Sequence, residues 1–109
     1  MDCLFCKIAN KEIPAEIVME NEDFIAFRDI HPKAPVHVLI ITRKHYADLG
    51  DVESGALSEL PSFVKELAVC LGVDESGYRV IANKGPDSGQ IIFHVHFHLL
   101  AGKDLGDLI

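Results

Sequence analysis

Polar and apolar positions alternate along residues 94–100, HVHFHLL, at the two-residue period of an extended strand. Upstream, the β-branched and aromatic runs at 16–20 and 24–28 predict two strands, joined by a turn at Asn21–Glu22–Asp23. A third strand is expected over 36–42, after the turn-forming segment His31–Pro32–Lys33–Ala34–Pro35. Two more are expected over 78–83 and 91–100, separated by the loop KGPDSG. Residues 3–10 predict a short helix that ends near Asn10, with Pro14 opening the next segment.

The middle of the chain has the other period. Residues 58–71 predict the main helix, capped by Ser58, with Pro61 in its first turn and Gly72 closing it. One main helix laid on a mostly antiparallel sheet is an α+β domain. The apolar positions Leu57, Leu60, Phe63, Val64, Leu67, Ala68, Cys70 and Leu71 cover roughly half the helix circumference. A one-sided surface helix needs a stripe only a little over 100° wide. The excess predicts burial against a second subunit, hence a homodimer.

Composition narrows the function classes. With 109 residues the chain is expected to form one domain over 1–109, and 49% apolar with 25% charged residues is ordinary for a globular protein. No apolar run approaches the length of a membrane span, and the start MDCLFCKIANKEIP lacks the layout of a signal peptide. A cytoplasmic location is the expectation. A net charge of −7 argues against a nucleic-acid polymer or an anionic membrane as partner. Three cysteines, an odd and low count, fit a reducing compartment better than a disulfide framework.

The alternating run carries the chemistry. On an extended strand His94, His96 and His98 share one face, while Val95, Phe97 and Leu99 share the other and can pack on the helix. Exposed or merely structural histidines are the bland reading. Two imidazoles about 6.5–7 Å apart along a strand can converge on one metal, but the outer pair, about 13 Å apart, cannot readily do so. Covalent catalysis uses all three better: a neutral imidazole attacks phosphorus, and its neighbours hold oxygens or move protons. The preceding segment NKGPDSGQ supplies amides and glycines that suit an anion.

The pattern GQ-apolar-apolar-Phe-HVHFHLL resembles the signature of the histidine triad family. The blocks IPAEIVMENEDFIAFRDIHPKAPVHVLIITRKH and GYRVIANKGPDSGQ extend the likeness over nearly the whole chain, and the ending LLAG is similar to the Hint branch. The resemblance implies a five-stranded antiparallel sheet with one major helix, continued across a dimer. It also implies that His96 is the nucleophile, with His98 and His37 around the phosphate and Asn83, Gly89 and Gln90 helping to bind it. Asp29 would accept the ribose hydroxyls. Leu4, Phe5, Ile8, Phe27, Ile30 and Leu39 would wall an apolar slot for the base. Ile91 departs from the branch, standing where many members carry a serine whose hydroxyl reaches the phosphate or leaving group.

The Cys3-Leu4-Phe5-Cys6 spacing admits a redox pair, two buried small hydrophobes, or half of a zinc site. The resemblance proposes the missing ligands, because a bacterial subset of the family with this cysteine pair completes a zinc site with two histidines, here His45 and His94. Such a Cys2His2 set is closed and structural, and it spares His94 from chemistry. The expected function is a nucleotide hydrolase or transferase acting on nucleoside 5′-phosphoramidates or related conjugates. It needs no catalytic metal and no organic cofactor. Two rivals stay open: a zinc hydrolase using the histidine strand, and a nucleotide-binding regulatory module without turnover.

Overall fold

The computed structural model describes residues 3–108; Met1, Asp2 and Ile109, the remainder of the expected 1–109 domain, lie outside the described residues. Helix α1 (Leu4–Ala9) is followed by β1 (Ile17–Glu20), β2 (Phe24–Arg28) and β3 (Val36–Thr42). The main helix α2 (Leu60–Leu71), β4 (Tyr78–Ala82) and β5 (His96–Ala101) complete the chain. The five strands form one antiparallel sheet in the order β1-β2-β3-β5-β4. The expected α+β architecture, with a main and a short N-terminal helix, is what the chain adopts.

The two faces of the sheet bury different things. One carries Phe24, Ala26, Val38, Ile40, Phe97 and Leu99 against Phe63, Val64, Leu67 and Ala68 of α2. The other carries Ile25, Phe27, Leu39 and Ile41 against Phe5, Ile8 and Ala9 of α1. In the β3–β5 register Ile41 lies opposite His96, Leu39 opposite His98 and His37 opposite Leu100. Directly opposed residues share a face, so all three histidines belong to the α1 side. Val95, Phe97 and Leu99 pack on the α2 side, as the alternation predicts.

Two boundaries differ from the sequence expectation. Strand β5 begins at His96, not at residue 91. Before it the chain leaves the ladder: Val95 N–H donates to Tyr46 O at 2.7 Å, and Gln90 ties residues 85, 47 and 92 together. Helix α2 begins at Leu60, after a cap at Glu59 that makes no side-chain hydrogen bond. Residues 54–59 run as turns instead, and Pro61 falls in the first turn of the helix as expected. Gly72 closes the helix at φ 73°, and Val73 N–H bonds back to Ala68 O at 2.9 Å. Gly102, at the end of LLAG, sits at φ +95°, and a Cβ there would lie 2.8 Å from Pro35 Cβ. No helix among the described residues is long and apolar enough to cross a membrane.

Candidate active site and metal centre

Strand β5 begins where the chemistry does. The Nδ1–H of His96 donates to the carbonyl of His94 at 2.7 Å. A carbonyl can only accept, so this bond places the ring proton on Nδ1 and leaves Nε2 with its lone pair. Phe5 of α1 sets its ring edge-on to His96, with centroids 5.1 Å apart. The His98 ring packs edge-on to His96 at 5.2 Å.

His98 and His37 form a directed pair. Lys33 N–H donates to His37 Nδ1 at 3.0 Å, so the proton of His37 is on Nε2. That Nε2–H donates to His98 Nδ1 at 2.9 Å, which in turn places the His98 proton on Nε2. Asp29 Oδ2 lies 3.5 Å from His37 Nε2, while Oδ1 accepts from His31 N–H in the turn at 2.8 Å. Burial pushes His98 down to about 4, with His96 and His37 adding to the effect and Asp29 opposing it. Burial also lowers His37, again against Asp29. Both rings are neutral at neutral pH.

A second constellation joins α1 to the approach of β5. Cys3 Sγ is 3.3 Å from His94 Nδ1, Cys6 Sγ is 3.5 Å from the same nitrogen, and Cys6 Sγ is 3.3 Å from His45 Nδ1. All four ligand atoms lie within 4.8 Å of one another. Sulfur and nitrogen ligands at tetrahedral zinc distances stand about 3.5 Å apart. His94, fully buried, donates its Nε2–H to Thr42 O at 2.7 Å, which frees Nδ1 as a ligand. Burial keeps that imidazole neutral, with His45 and His96 adding to the shift and the Thr42 bond opposing it. Burial, with Cys3 beside it, raises the Cys6 thiol to about 11, so binding a metal would displace a proton there.

Asp29, His37 and His98 also converge closely enough to suggest a metal. Their hydrogen bonds speak against it. With Nδ1 accepting from Lys33 N–H, His37 can offer Nε2 to a cation only as an imidazolate. The cysteine cluster has no such obstacle. The same bonds separate His94 from His96: the free nitrogen of His94 faces the cysteines, and His96 is not among that set. A hydrolytic zinc held by both triad histidines finds no support in this arrangement.

The remaining expected residues fall into place unevenly. Phe5, Ile8, Phe27 and Leu39 gather in the apolar cluster on the α1 face, but Ile30 is 86% exposed and Leu4 also faces solvent. Asn83 is half-buried just after β4, and its side chain makes no hydrogen bond within the described residues. The loop N–H groups of Ser88, Gly89 and Gln90 are taken up by Gly85 O and Pro86 O. Gln90 is buried with its amide fully used: Oε1 accepts from Gly85 N–H, and Nε2 donates to Ala47 O and Ile92 O. Gly89 and Gln90 therefore shape the loop. Ile91 is 84% exposed, and its N–H has no partner among the described residues. Lys33 and Tyr46 enter the site through backbone groups, and a backbone contact leaves no mark on residue type; Thr42 enters through its carbonyl and also its Oγ1, 3.4 Å from His94 Nε2.

The profile of the HIT domain family matches residues 10–105. An HIT-like protein of Rickettsia prowazekii is 44% identical, over 97% of this chain and 92% of its own. An HIT family hydrolase from Legionella pneumophila, solved by crystallography, superposes with a TM-score of 0.90 at 46% identity, covering 95% of this chain and 96% of its own. A histidine triad nucleotide-binding protein from Candida albicans does so with a TM-score of 0.84 at 40% identity, covering 90% of this chain and 73% of its own.

Proposed function

The chain belongs to the HIT domain family, and from that premise we propose that it is a hydrolase or transferase of nucleoside 5′-phosphoramidates or related nucleotidyl conjugates. The observation that carries this reading is the 2.7 Å bond from His96 Nδ1–H to the His94 carbonyl. It prepares Nε2 as a nucleophile without a separate base. Attack by Nε2 forms a nitrogen–phosphorus bond and breaks the bond to the leaving group, which departs as a protonated amine. The ring turns cationic at that moment, and the carbonyl already bonded to Nδ1–H stabilises the charge. Water then adds to phosphorus, releases the nucleoside monophosphate and returns His96 to its starting state.

The neighbours take supporting parts. His98, neutral with its proton on Nε2, donates to a non-bridging oxygen; His37 fixes that tautomer. The unpartnered N–H of Ile91 and the Asn83 amide add donors for the phosphoryl group. Asp29 has one carboxylate oxygen clear of the turn, and a ribose hydroxyl can donate to it. Phe27 and Leu39, which share an apolar cluster with Phe5, are the side chains we assign to the base. The departing amine takes its proton from water or from a neighbouring imidazole, because Ile91 has no hydroxyl to offer.

The donor set Cys3, Cys6, His45 and His94 fits a structural zinc: two soft sulfur donors, two imidazole nitrogens, and a carbonyl from Thr42 orienting one of them. When bound, the ion would supply a cross-link between α1 and the sheet, and no chemistry at phosphorus.

Rapidly quenched reactions with a nucleoside 5′-phosphoramidate, kept away from acid, should give a nucleotidyl adduct on the peptide containing His96. His96→Ala should lose nearly all turnover, on the order of 10⁶-fold as for other covalent nucleophiles, while still binding nucleoside monophosphate. Turnover near wild type in His96→Ala would overturn the assignment. Tight nucleotide binding by the wild type without any turnover would select the regulatory module.

A further inference from the structure

The two constellations share one peptide unit. The carbonyl of His94 holds His96 Nδ1–H at 2.7 Å, and the N–H of the same peptide, on Val95, donates to Tyr46 O at 2.7 Å. His94 is itself a member of the cysteine–histidine cluster, and Tyr46 directly follows another member, His45. Both ends of the peptide that orients the nucleophile are therefore chained to ligands of one prospective metal. Phe5 adds a third connection. Flanked in sequence by Cys3 and Cys6, it packs edge-on against His94 at 6.0 Å and His96 at 5.1 Å. Every element of the cluster touches what holds His96.

We propose that His94 is a positioning residue for His96, and that metal loading of the Cys3, Cys6, His45 and His94 cluster sets the rate of nucleotidyl transfer. Loading would do so by fixing the peptide between His94 and Val95 and, with it, the orientation and tautomer of the nucleophile. The proposal rests on the nucleophile and zinc readings above and adds the coupling between them. The physical reason is geometric. With its Nδ1 bound, the His94 ring is held at both nitrogens, by metal and by Thr42 O, and its carbonyl has one place to point. With Nδ1 unbound, Thr42 still holds Nε2, but Nδ1 has only the longer and weaker thiol contacts of Cys3 and Cys6 at 3.3 and 3.5 Å. Helix α1 keeps its apolar packing but loses its metal anchor, so the acceptor for His96 Nδ1–H loosens. A nucleophile misplaced by about an ångström can cost 10²-fold in rate without weakening substrate binding.

The test compares one protein in several metal states. Wild type would be prepared loaded with zinc, stripped by a chelator, reloaded with zinc, and loaded with cadmium, whose bonds to sulfur are longer. Each form is examined for kcat and KM with a nucleoside 5′-phosphoramidate, for fold by circular dichroism, and for the ring nitrogen shifts of His96 by ¹⁵N spectroscopy. Stripping should lower kcat by about 10- to 100-fold, the usual cost of disturbing an orienting partner, with KM little changed. The His96 spectrum should pass from one tautomer to a mixture, and zinc should restore both properties. Cys6→Ser should reproduce the stripped state without rescue by zinc, whereas Cys70→Ser, a change at an exposed cysteine outside the cluster, should match wild type.

Equal kcat and equal His96 spectra in loaded and stripped protein would overturn the coupling. If the stripped form unfolds, the cadmium form decides: kcat and His96 shifts identical to those with zinc would overturn it equally. Protein that binds no zinc overturns the metal reading and the coupling together, while zinc-loaded protein that forms no His96 adduct overturns the nucleophile reading. The three failures are thus distinguishable.

Discussion

His98 holds a proton on one nitrogen, receives one at the other, and resists taking a second. Burial is the first cause, and the neighbouring His96 and His37 add to it. The consequence reaches stability. In the unfolded chain a histidine titrates near 6.5, whereas folded His98 is pushed down to about 4. Above 6.5 both states are neutral and the favourable arrangement is fully present. As pH falls below 6.5 the unfolded chain binds a proton that the folded one refuses, so stability is lost toward pH 4. His37, also lowered, acts in the same direction. The slope has a ceiling of about 1.4 kcal/mol per pH unit for each histidine, reduced by solvent at half-buried His98. Denaturation midpoints between pH 7.5 and 5 should fall more steeply for wild type than for His98→Asn. Equal slopes would remove His98 from this account.

At the scale of elements, α1 is the clearest case of structure that cannot stand alone. Six residues are far too few for an isolated helix in water. It is held by Phe5 and Ile8 in the apolar cluster, by Cys3 capping Cys6 N–H at 3.3 Å, and by the prospective metal. Cys3→Ser with Cys6→Ser should abolish zinc in elemental analysis. At free zinc a hundredfold above its Kd, binding adds about 2.7 kcal/mol, so the melting temperature should fall by roughly 10–20 °C for a chain of this size. A double variant that melts with wild type would remove the cross-linking role.

The same elements show what could be read from residues alone. The shared face of His94, His96 and His98 was legible because an extended chain alternates whether or not it is paired. His94 keeps to the side of Phe5 although the ladder has not begun. The start of β5 was not legible, since it depends on Val95 N–H finding Tyr46 O, a residue 49 positions earlier whose carbonyl any side chain could carry. Ser58 looked like the cap of α2, but residues 54–59 are spent on turns that pack Ala56 and Leu57 against the core. Gln90 and Gly89 were legible as important and not as scaffolding. Amide side chains serve anions and loops alike, and the loop bonds of Gln90 depend on where Gly85, Ala47 and Ile92 lie, which residue type does not reveal.

For the molecule as a whole, the broad apolar arc of α2 divides into two parts. Phe63, Val64, Leu67 and Ala68 are consumed by the chain's own core, while Cys70 stays exposed and Val69, outside the arc, is 60% exposed. Beyond the helix, the sheet ends in β4. Val80 lies opposite Leu99 and Tyr78 opposite Ala101, so both point to the α2 side, yet each is 40% exposed. An edge strand that presents Tyr and Val beside an incompletely covered helix is the kind of edge proteins rarely leave to solvent. A second copy related by a twofold axis would cover both at once, since each subunit offers the same patch to the other. The expectation is a dimer through β4 and α2. Leu67 is fully buried, so a charge there would attack the fold itself; Val80 is the better probe. Val80→Glu should shift sedimentation toward monomer at micromolar concentration, because pairing would bury a carboxylate without a partner. Its circular dichroism should remain that of wild type, since the residue is already accessible in the single chain. A wild-type protein sedimenting as a monomer, or a variant that associates as tightly as wild type, would place the interface elsewhere or remove it.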